Sequence, residues 1–212
     1  MSAPCSIVHV LALLQHAKRV QRLNAAHDTG RDGEKFNLFH LLGIGHLEVS
    51  THSPILRDLL DPHGSHGQGV VFLKRFVERL GLPHFDFEKA EVTAEVGIGA
   101  VTNESGGRLD LAISDGTTKQ IIIENKIHAA EQANWVSRYL GHAPRAKLVF
   151  LTLYGKEPEK MAPGSRPRNL VCASYREHIT DWLQECRKEA TTAPLVRESI
   201  SQYLHLVQEL TQ

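Results

Sequence analysis

The stretch GRLDLAISDGTTKQIIIENK, residues 107–126, carries two carboxylates and an amine at positions that suit metal-dependent chemistry on a phosphate. A hairpin whose turn centres on Thr117 sets Asp110 directly opposite Glu124. Directly opposed side chains have Cβ atoms roughly 4.5–5.5 Å apart, so the two like charges repel each other. A divalent cation removes that repulsion because both carboxylates can bind one Mg²⁺, or Mn²⁺ in its place. Lys126 lies two residues along the same strand face, where its ammonium can orient a water and stabilise charge that develops on a phosphate.

The same spacing also occurs on exposed sheet faces whose charges are simply solvated. Against that alternative, three isoleucines, Ile121 to Ile123, stand directly before Glu124. Such an apolar run is typical of a central strand that is covered on both faces. The charged end of that strand then lies at the rim of a core, where an unpaired charge is costly. The pattern therefore favours a built site over a solvated surface.

Around this hairpin, the hydrophobic pattern predicts a mixed β-sheet in an α/β fold. Three strand-like runs cover residues 91–98, 108–114 and 120–127, and the short polar turns between them predict an antiparallel meander. A helix over residues 129–140 then leads to the apolar run KLVFLTL at 147–153. Because a strand–helix–strand connection is a crossover, this fourth strand should pair in parallel with a strand of the meander.

The remaining pattern predicts helices that flank the sheet. Ser53 and Pro54 supply an N-cap and a first helical residue, and residues 170–174 fit a fifth, edge strand. No linker composition or internal repeat divides the chain, so we expect one domain over residues 1–212. The further helices are predicted at 6–26 within an N-terminal helical segment 1–36, at 37–48, 54–60 and 70–80, and at 176–190 and 194–210 within C-terminal helices 176–212.

Two of these stretches resemble the PD-(D/E)XK nuclease superfamily: GRLD, which ends in Asp110, and IIIENKI, which contains Glu124, Asn125 and Lys126. Upstream, the pattern ExxxHSxxLRDLLDPxGxHGQGxxFLxxF at residues 48–76 resembles the N-terminal helical block of one branch of that superfamily. The resemblance covers residues 37–153. It implies a restriction-endonuclease-like core of αβββαβ order, a mixed sheet flanked by helices, and a nuclease that hydrolyses phosphodiester bonds.

The resemblance also implies roles for individual residues. Asp110 and Glu124 would bind Mg²⁺, the main-chain carbonyl of Asn125 would join them, and Lys126 would be the catalytic lysine. The superfamily often adds an acidic ligand from the first core helix, and Glu48 is the matching position. Some members use an acid on the first strand. Glu91 and Glu95 are the candidates there, because they lie an even number of residues apart and so share one face of the strand. Glu95 is nearer the end of the strand.

Three basic residues are candidates for contact with the substrate. His52 lies near the start of the upstream block, and it either contacts a phosphate or has a structural role. Arg108 begins the strand that carries Asp110, and Arg138 lies on the helix predicted after the hairpin. Each of the two arginines either contacts phosphate or is simply solvated.

The helix after the hairpin departs from the related sequences. Members of this branch often carry a glutamine four residues before the tyrosine of that helix. Here Trp135 occupies that position before Tyr139, and Gln132 is the nearby glutamine. We therefore add Gln132 to the candidate substrate contacts without assuming that it replaces the missing glutamine.

The charge balance limits how a polyanion is bound. Lysine and arginine number 24, as do aspartate and glutamate, so the formal net charge is zero. Nucleic acid, with DNA preferred over RNA as the expected partner, would have to be held by a local basic patch. The balance also motivates an alternative function: a catalytically inactive nucleic-acid-binding or assembly protein on the same fold.

Other features leave further alternatives open. Three scattered cysteines fit a reducing compartment, so we expect a cytoplasmic protein with no membrane partner. His63 and His66 lie in a Gly-rich loop beside Asp61, which suggests either zinc or simple loop hydrogen bonds. The apolar face of the last helix fits packing in the core or contact in a homodimer.

Overall fold

The structure is a computed structural model that describes residues 36–82, 85–117, 120–161 and 166–212. The helix predicted over 6–26, with the N-terminal segment around it, lies outside these ranges. The chain divides into two compact units, Met1–Leu38 and Phe39–Gln212, and the sheet belongs to the second. One domain over residues 1–212 therefore stays a prediction.

A five-stranded mixed sheet forms the centre of the fold. Its strands are β1 Glu91–Gly97, β2 Arg108–Ser114, β3 Gln120–Lys126, β4 Lys147–Thr152 and β5 Leu170–Ser174, in that spatial order. β1, β2 and β3 pair antiparallel, and β4 and β5 each pair in parallel with the strand before. The meander, the parallel fourth strand and the edge position of the fifth strand are thus confirmed.

Apolar cores on the two faces of the sheet hold the helices in place. The helices are α1 Leu38–Leu41, α2 Ser53–Leu60, α3 Val71–Arg79, α4 Trp135–His142, α5 Thr180–Glu189 and α6 Pro194–Leu210. α2, α3, α5 and α6 pack in a first core with Ile121 and Ile123, whereas α4 packs in a second core with Ile122. Burying each such side chain stabilises the fold by about 1.5–3 kcal/mol. These isoleucines therefore anchor the strand that ends in Glu124 and Lys126. No helix in the described ranges combines the length and the apolar character needed to cross a membrane.

The segment before α2 differs from the prediction. The helix expected over 37–48 is limited to α1, because Gly43 adopts a left-handed φ of 64° that ends the helix. Ser53 is not an N-cap: a wide π-helical turn, Glu48–His52, runs directly into α2, and the Ser53 N–H donates to the Glu48 carbonyl. Pro54 has no N–H group, so one helical hydrogen bond is missing at the junction between the π-helical turn and α2.

The helix after the hairpin begins at Trp135 instead of residue 129. Asn134 has a φ of 57°, a left-handed conformation that interrupts any helix through it. The Glu131 carboxylate accepts hydrogen bonds from the N–H groups of Glu159 and Lys160, which ties this segment to the chain beyond β4. Residues 127–134 are therefore an irregular segment at the end of β3.

One strand breaks the expected alternation of faces. Leu109 packs in the second core, whereas Leu111 and Ile113 pack in the first, although strict alternation predicts one face for all three. The pairing of β2 with β1 skips the level of Asp110, and its pairing with β3 ends at Leu111. At that level Glu95 of β1 has a φ of 57°. Asp110 therefore lies at a break in the regular sheet.

Candidate active site

Asp110, Glu124 and Lys126 converge at the end of the β2–β3 hairpin. The observed pairing follows the predicted register as far as Leu111 with Ile123, and Asp110 and Glu124 are the next residues beyond this last pair. Lys126 Nζ lies 3.0 Å from Glu124 Oε1 and 3.5 Å from Asp110 Oδ2. The two acids are only 8% and 2% exposed. The hairpin thus brings two buried carboxylates and one ammonium into contact.

A main-chain donor fixes the Asp110 carboxylate. The Asn125 N–H donates to Asp110 Oδ2 at 2.8 Å. Burial nevertheless raises the pKa of Asp110 above its ordinary value, against the lowering effects of Lys126 and of this N–H group. A carboxylate beside an ammonium usually has a lowered pKa, so the positive charge present here is too small to offset burial.

The Glu124 carboxylate is held from the other side by α4. The Tyr139 hydroxyl lies 2.8 Å from Glu124 Oε2 and 2.6 Å from the Arg108 carbonyl oxygen, and its single proton can serve only one of them at a time. Burial, and then the charge of Asp110, raise the pKa of Glu124 from its ordinary 4.5 to about 7. The Glu124 carboxyl therefore releases its proton at a much higher pH than an ordinary glutamate does.

The charge on Lys126 follows from its neighbours. Burial works to lower the pKa of its amine, but the carboxylates of Glu124 and Asp110 outweigh burial and raise the pKa above its ordinary value. Lys126 is accordingly an ammonium at neutral pH. It can donate hydrogen bonds to a water or a phosphate, and it cannot act as a base.

Glu48 reaches the site from the π-helical turn. Its Oε1 accepts hydrogen bonds from the N–H groups of His128 and Ala129, at 2.7 and 2.6 Å, directly beyond β3. Its negative charge contributes to the raised pKa values of Asp110 and Lys126. Glu48 therefore both braces the segment after β3 and adds negative charge to the site.

Glu95 approaches from β1, at the level of Asp110. Both its carboxylate oxygens are buried and accept no hydrogen bond from the described residues. Arg108 Nε lies 2.7 Å from Oε2 and forms an ion pair with it. Burial raises the pKa of Glu95; Arg108 lowers it and Asp110 raises it further. The left-handed backbone of Glu95 stores strain of the kind that clusters at functional sites, and its carboxylate retains unused acceptor capacity.

Comparison with protein families gives a match to the model of the PD-(D/E)XK nuclease superfamily over residues 36–205, more than half of the chain. The chain belongs to the PD-(D/E)XK nuclease superfamily. Membership confirms the resemblance and agrees with the observed α/β fold, and it indicates a nuclease that acts on nucleic acid. Comparisons with curated proteins and with solved structures gave no match.

PD-(D/E)XK nucleases usually use divalent metal ions, and the donor set at this site fits one. Asp110 and Glu124 offer carboxylate oxygens, and the Asn125 carbonyl oxygen lies 3.3 Å from Lys126 Nζ. Within the described ranges, no group of three or more His, Cys, Asp or Glu side chains is arranged to hold a metal. Mg²⁺ does not require such a group, because it is usually bound through one or two carboxylates and keeps several waters. Burial is the first cause of the raised pKa values of both acids, and a bound cation would work against it.

His52 lies in the interior, away from any substrate surface. It is fully buried, with Nδ1 2.9 Å from the Tyr203 hydroxyl and Nε2 2.9 Å from the Gly45 carbonyl oxygen. Both ring nitrogens are therefore occupied by the protein. This placement does not fit a phosphate contact and assigns His52 to the support of the turn that carries Glu48.

Arg138 is also used within the protein. Its buried guanidinium donates to the carbonyl oxygens of Gly106 and Ala133 and to the amide oxygen of Gln132. A direct contact with phosphate does not fit this arrangement, because the guanidinium is committed to three protein acceptors. Gln132 and Arg108 remain exposed beside the site.

Two tyrosines hold the site together, although the sequence reasoning assigned them no role. Tyr139 contacts Glu124, as described above. Tyr175, which directly follows β5, donates to Asn125 Oδ1 at 2.9 Å, and Asn125 Nδ2 donates to Ser53 Oγ at 3.4 Å. The resemblance includes a tyrosine in the helix after the hairpin, and this position could have indicated a role for Tyr139. No spacing in the sequence links Tyr175 to the hairpin.

The histidine loop does not resemble a zinc site. His66 Nε2 lies 2.8 Å from the Asp61 carbonyl oxygen, and His66 Nδ1 accepts a hydrogen bond from the Gln68 N–H. These contacts are the loop hydrogen bonds expected under the alternative interpretation.

Proposed function

We propose that this protein is a divalent-metal-dependent nuclease that hydrolyses phosphodiester bonds in DNA, with Mg²⁺ as its ion and Mn²⁺ as a substitute. The observation that carries the proposal is the contact of the Lys126 ammonium with two buried carboxylates. Superfamily membership supports hydrolysis of nucleic acid. DNA is the substrate to test first, with RNA alongside it.

The acids Asp110 and Glu124, with the Asn125 carbonyl, would hold the metal ion, and Glu95 and Glu48 are further acids whose charges interact with that of Asp110. When bound, the ion supplies Lewis-acid polarisation of the phosphate and lowers the pKa of a water. The protein's own contribution is positional. The Asn125 N–H and the Tyr139 hydroxyl fix one oxygen of each carboxylate, so that the remaining oxygens are oriented before substrate arrives.

Lys126 would act on the substrate as a hydrogen-bond donor. Because its pKa is raised, it stays charged and can hold the attacking water in line and stabilise negative charge that develops on the phosphate. Its distances to the two carboxylates keep the ammonium within reach of anything those carboxylates bind.

The test compares cleavage of DNA and RNA by the purified protein with Mg²⁺ or Mn²⁺. We expect cutting that EDTA stops and that Asp110→Ala abolishes, while the surface variant Glu88→Ala cuts like the wild type. If neither substrate is cut, or if Asp110→Ala cuts as fast as the wild type, the proposal is wrong. Calorimetry then tests the inactive alternative, which predicts no Mn²⁺ binding that depends on Asp110.

A further inference from the structure

Next to the candidate site, an open cleft begins at Lys126 and runs between two segments. One wall is the irregular segment after β3, including His128 and Glu131, and the other is the chain after β4, including Thr152, Tyr154 and Lys156. Both walls start at the carboxyl ends of neighbouring parallel strands, where Lys126 pairs with Thr152. If Lys126 holds one phosphate of a polymer, the next part of that polymer can therefore lie in this cleft.

The cleft is built before any ligand arrives. The Thr152 hydroxyl accepts hydrogen bonds from the N–H groups of Gly155 and Lys156, at 2.9 and 3.0 Å, which fixes the turn after β4. Gly155 has a φ of 73°, which favours glycine in that turn. Across the cleft, the Glu131 carboxylate accepts from the Glu159 and Lys160 N–H groups and from the Trp135 indole. The two walls are thereby joined to each other by hydrogen bonds.

The described residues that line the cleft include an exposed aromatic ring and a cation without an ion pair, among charges of both signs. Three acids line the cleft: Glu131 accepts these N–H hydrogen bonds, Glu157 is paired with Arg166 at 2.7 Å, and Glu159 is a further acid beside them. The Lys156 ammonium forms no ion pair with the residues that the structure describes. Tyr154 lies beside it with 49% of its surface exposed. An unpaired cation next to an exposed aromatic ring is the combination that binds a phosphate and stacks a base.

We infer that this cleft binds single-stranded nucleic acid next to the scissile phosphate, with Tyr154 stacking on an unpaired base and Lys156 contacting the adjoining phosphate. The inference rests on the proposed function and specifies its substrate. In a duplex each base is already stacked between its neighbours, so Tyr154 gains a partner only from an unpaired or splayed nucleotide. The substrate class is therefore single-stranded or frayed nucleic acid.

The test measures binding without cleavage, with a fluorescent oligothymidylate and a blunt duplex as probes in Ca²⁺, and a gel to verify that the probes stay intact. Tyr154→Ala should weaken binding of the oligothymidylate by about tenfold, a typical loss for one stacked base. Tyr154→Phe, which keeps the ring, should bind like the wild type. Lys156→Ala should reduce the slope of log affinity against log salt by about 0.7, and Lys188→Ala on α5 should not.

Two results would overturn the inference: wild-type binding of oligothymidylate by Tyr154→Ala, or an equal loss for the blunt duplex. Its failure is distinct from failure of the proposed function. A protein that cuts DNA while its cleft variants bind normally refutes only the cleft. A protein that cuts nothing, yet shows the expected pattern of binding, refutes the nuclease proposal and retains the cleft.

Discussion

At the scale of single residues, Lys126 separates binding of the metal from chemistry. Its ammonium contacts both carboxylates, yet a cation does not ligate a metal ion. We expect Lys126→Met to lower kcat by about a hundred- to a thousandfold, the usual loss for one preorganised donor. Binding of Mn²⁺ should be unchanged or tighter, because the competing positive charge is gone. Cleavage rates and calorimetric titration measure the two effects.

The matched control is Lys74→Ala, an exposed lysine on α3, which should leave both quantities unchanged. If Lys126→Met loses binding of Mn²⁺ along with activity, the lysine supports the fold of the site instead of the reaction.

The raised pKa of Glu124 predicts how the free energy of unfolding depends on pH when no metal ion is bound. Its folded-state pKa is raised to about 7, by burial first and Asp110 second, from an ordinary 4.5. Between these values the folded protein holds a proton that the unfolded chain has released. The free energy of unfolding contributed by Glu124 therefore falls as the pH rises from about 4.5 to 7, and stays low above that.

Denaturant unfolding in EDTA at several pH values measures this dependence. Glu124→Gln keeps the shape of the side chain and removes the titration, so the variant should lose this part of the pH dependence. It should also gain stability relative to the wild type at pH 8. An unchanged pH profile in the variant would show that Glu124 is not the group responsible.

At the scale of elements, the sequence predicted the strands better than the helices. The polar turn around Thr117 predicted the hairpin register, and the apolar run through Ile123 predicted a strand that is covered on both faces. The start of α4 at Trp135 was not predictable from periodicity, because the left-handed Asn134 and the tertiary bonds of Glu131 decide it.

Tertiary contacts also explain why the sequence did not indicate the roles of several site residues. His52 and Arg138 have the chemistry of phosphate contacts, and only the fold shows that other parts of the chain occupy them. Tyr175 meets Asn125 because β5 lies two strands from β3 in the sheet. Long-range contacts of this kind leave no pattern within a short stretch of sequence.

The helix α4 supplies the prediction at this scale. Tyr139→Phe removes the hydroxyl beside Glu124 Oε2 and keeps the packing of the ring in the second core. We expect Mn²⁺ to bind several-fold more weakly, because the carboxylate loses the donor that orients it, and stability to fall by about 1 kcal/mol. In a Glu124→Gln background, Tyr139→Phe should have much less effect on binding, since the two side chains form one unit. Equal losses in both backgrounds would contradict the coupling.

At the scale of the whole molecule, the sheet holds two buried acids beside a single ammonium in a protein of zero formal net charge. The formal net charge is zero, so no general field draws in polyanions or cations. Under the two proposals, attraction arises locally: the buried acids would attract a metal ion, and the cleft beyond Lys126 would hold nucleic acid. Because both acids are nearly buried between the two cores, relief of their repulsion should stabilise the entire second unit.

Metal binding should therefore raise the midpoint of thermal unfolding. A metal ion that binds only the folded chain at a hundred times its Kd adds about 2.7 kcal/mol of stability, or roughly 5–10 °C for a protein of this size. Asp110→Ala should abolish the shift between EDTA and Mn²⁺, whereas Glu88→Ala should retain it. The shift should also be larger at pH 8 than at pH 6, because at pH 6 the ion must displace the proton on Glu124. A shift of equal size in Asp110→Ala would place the metal elsewhere on the protein and remove the basis for a hairpin-centred site.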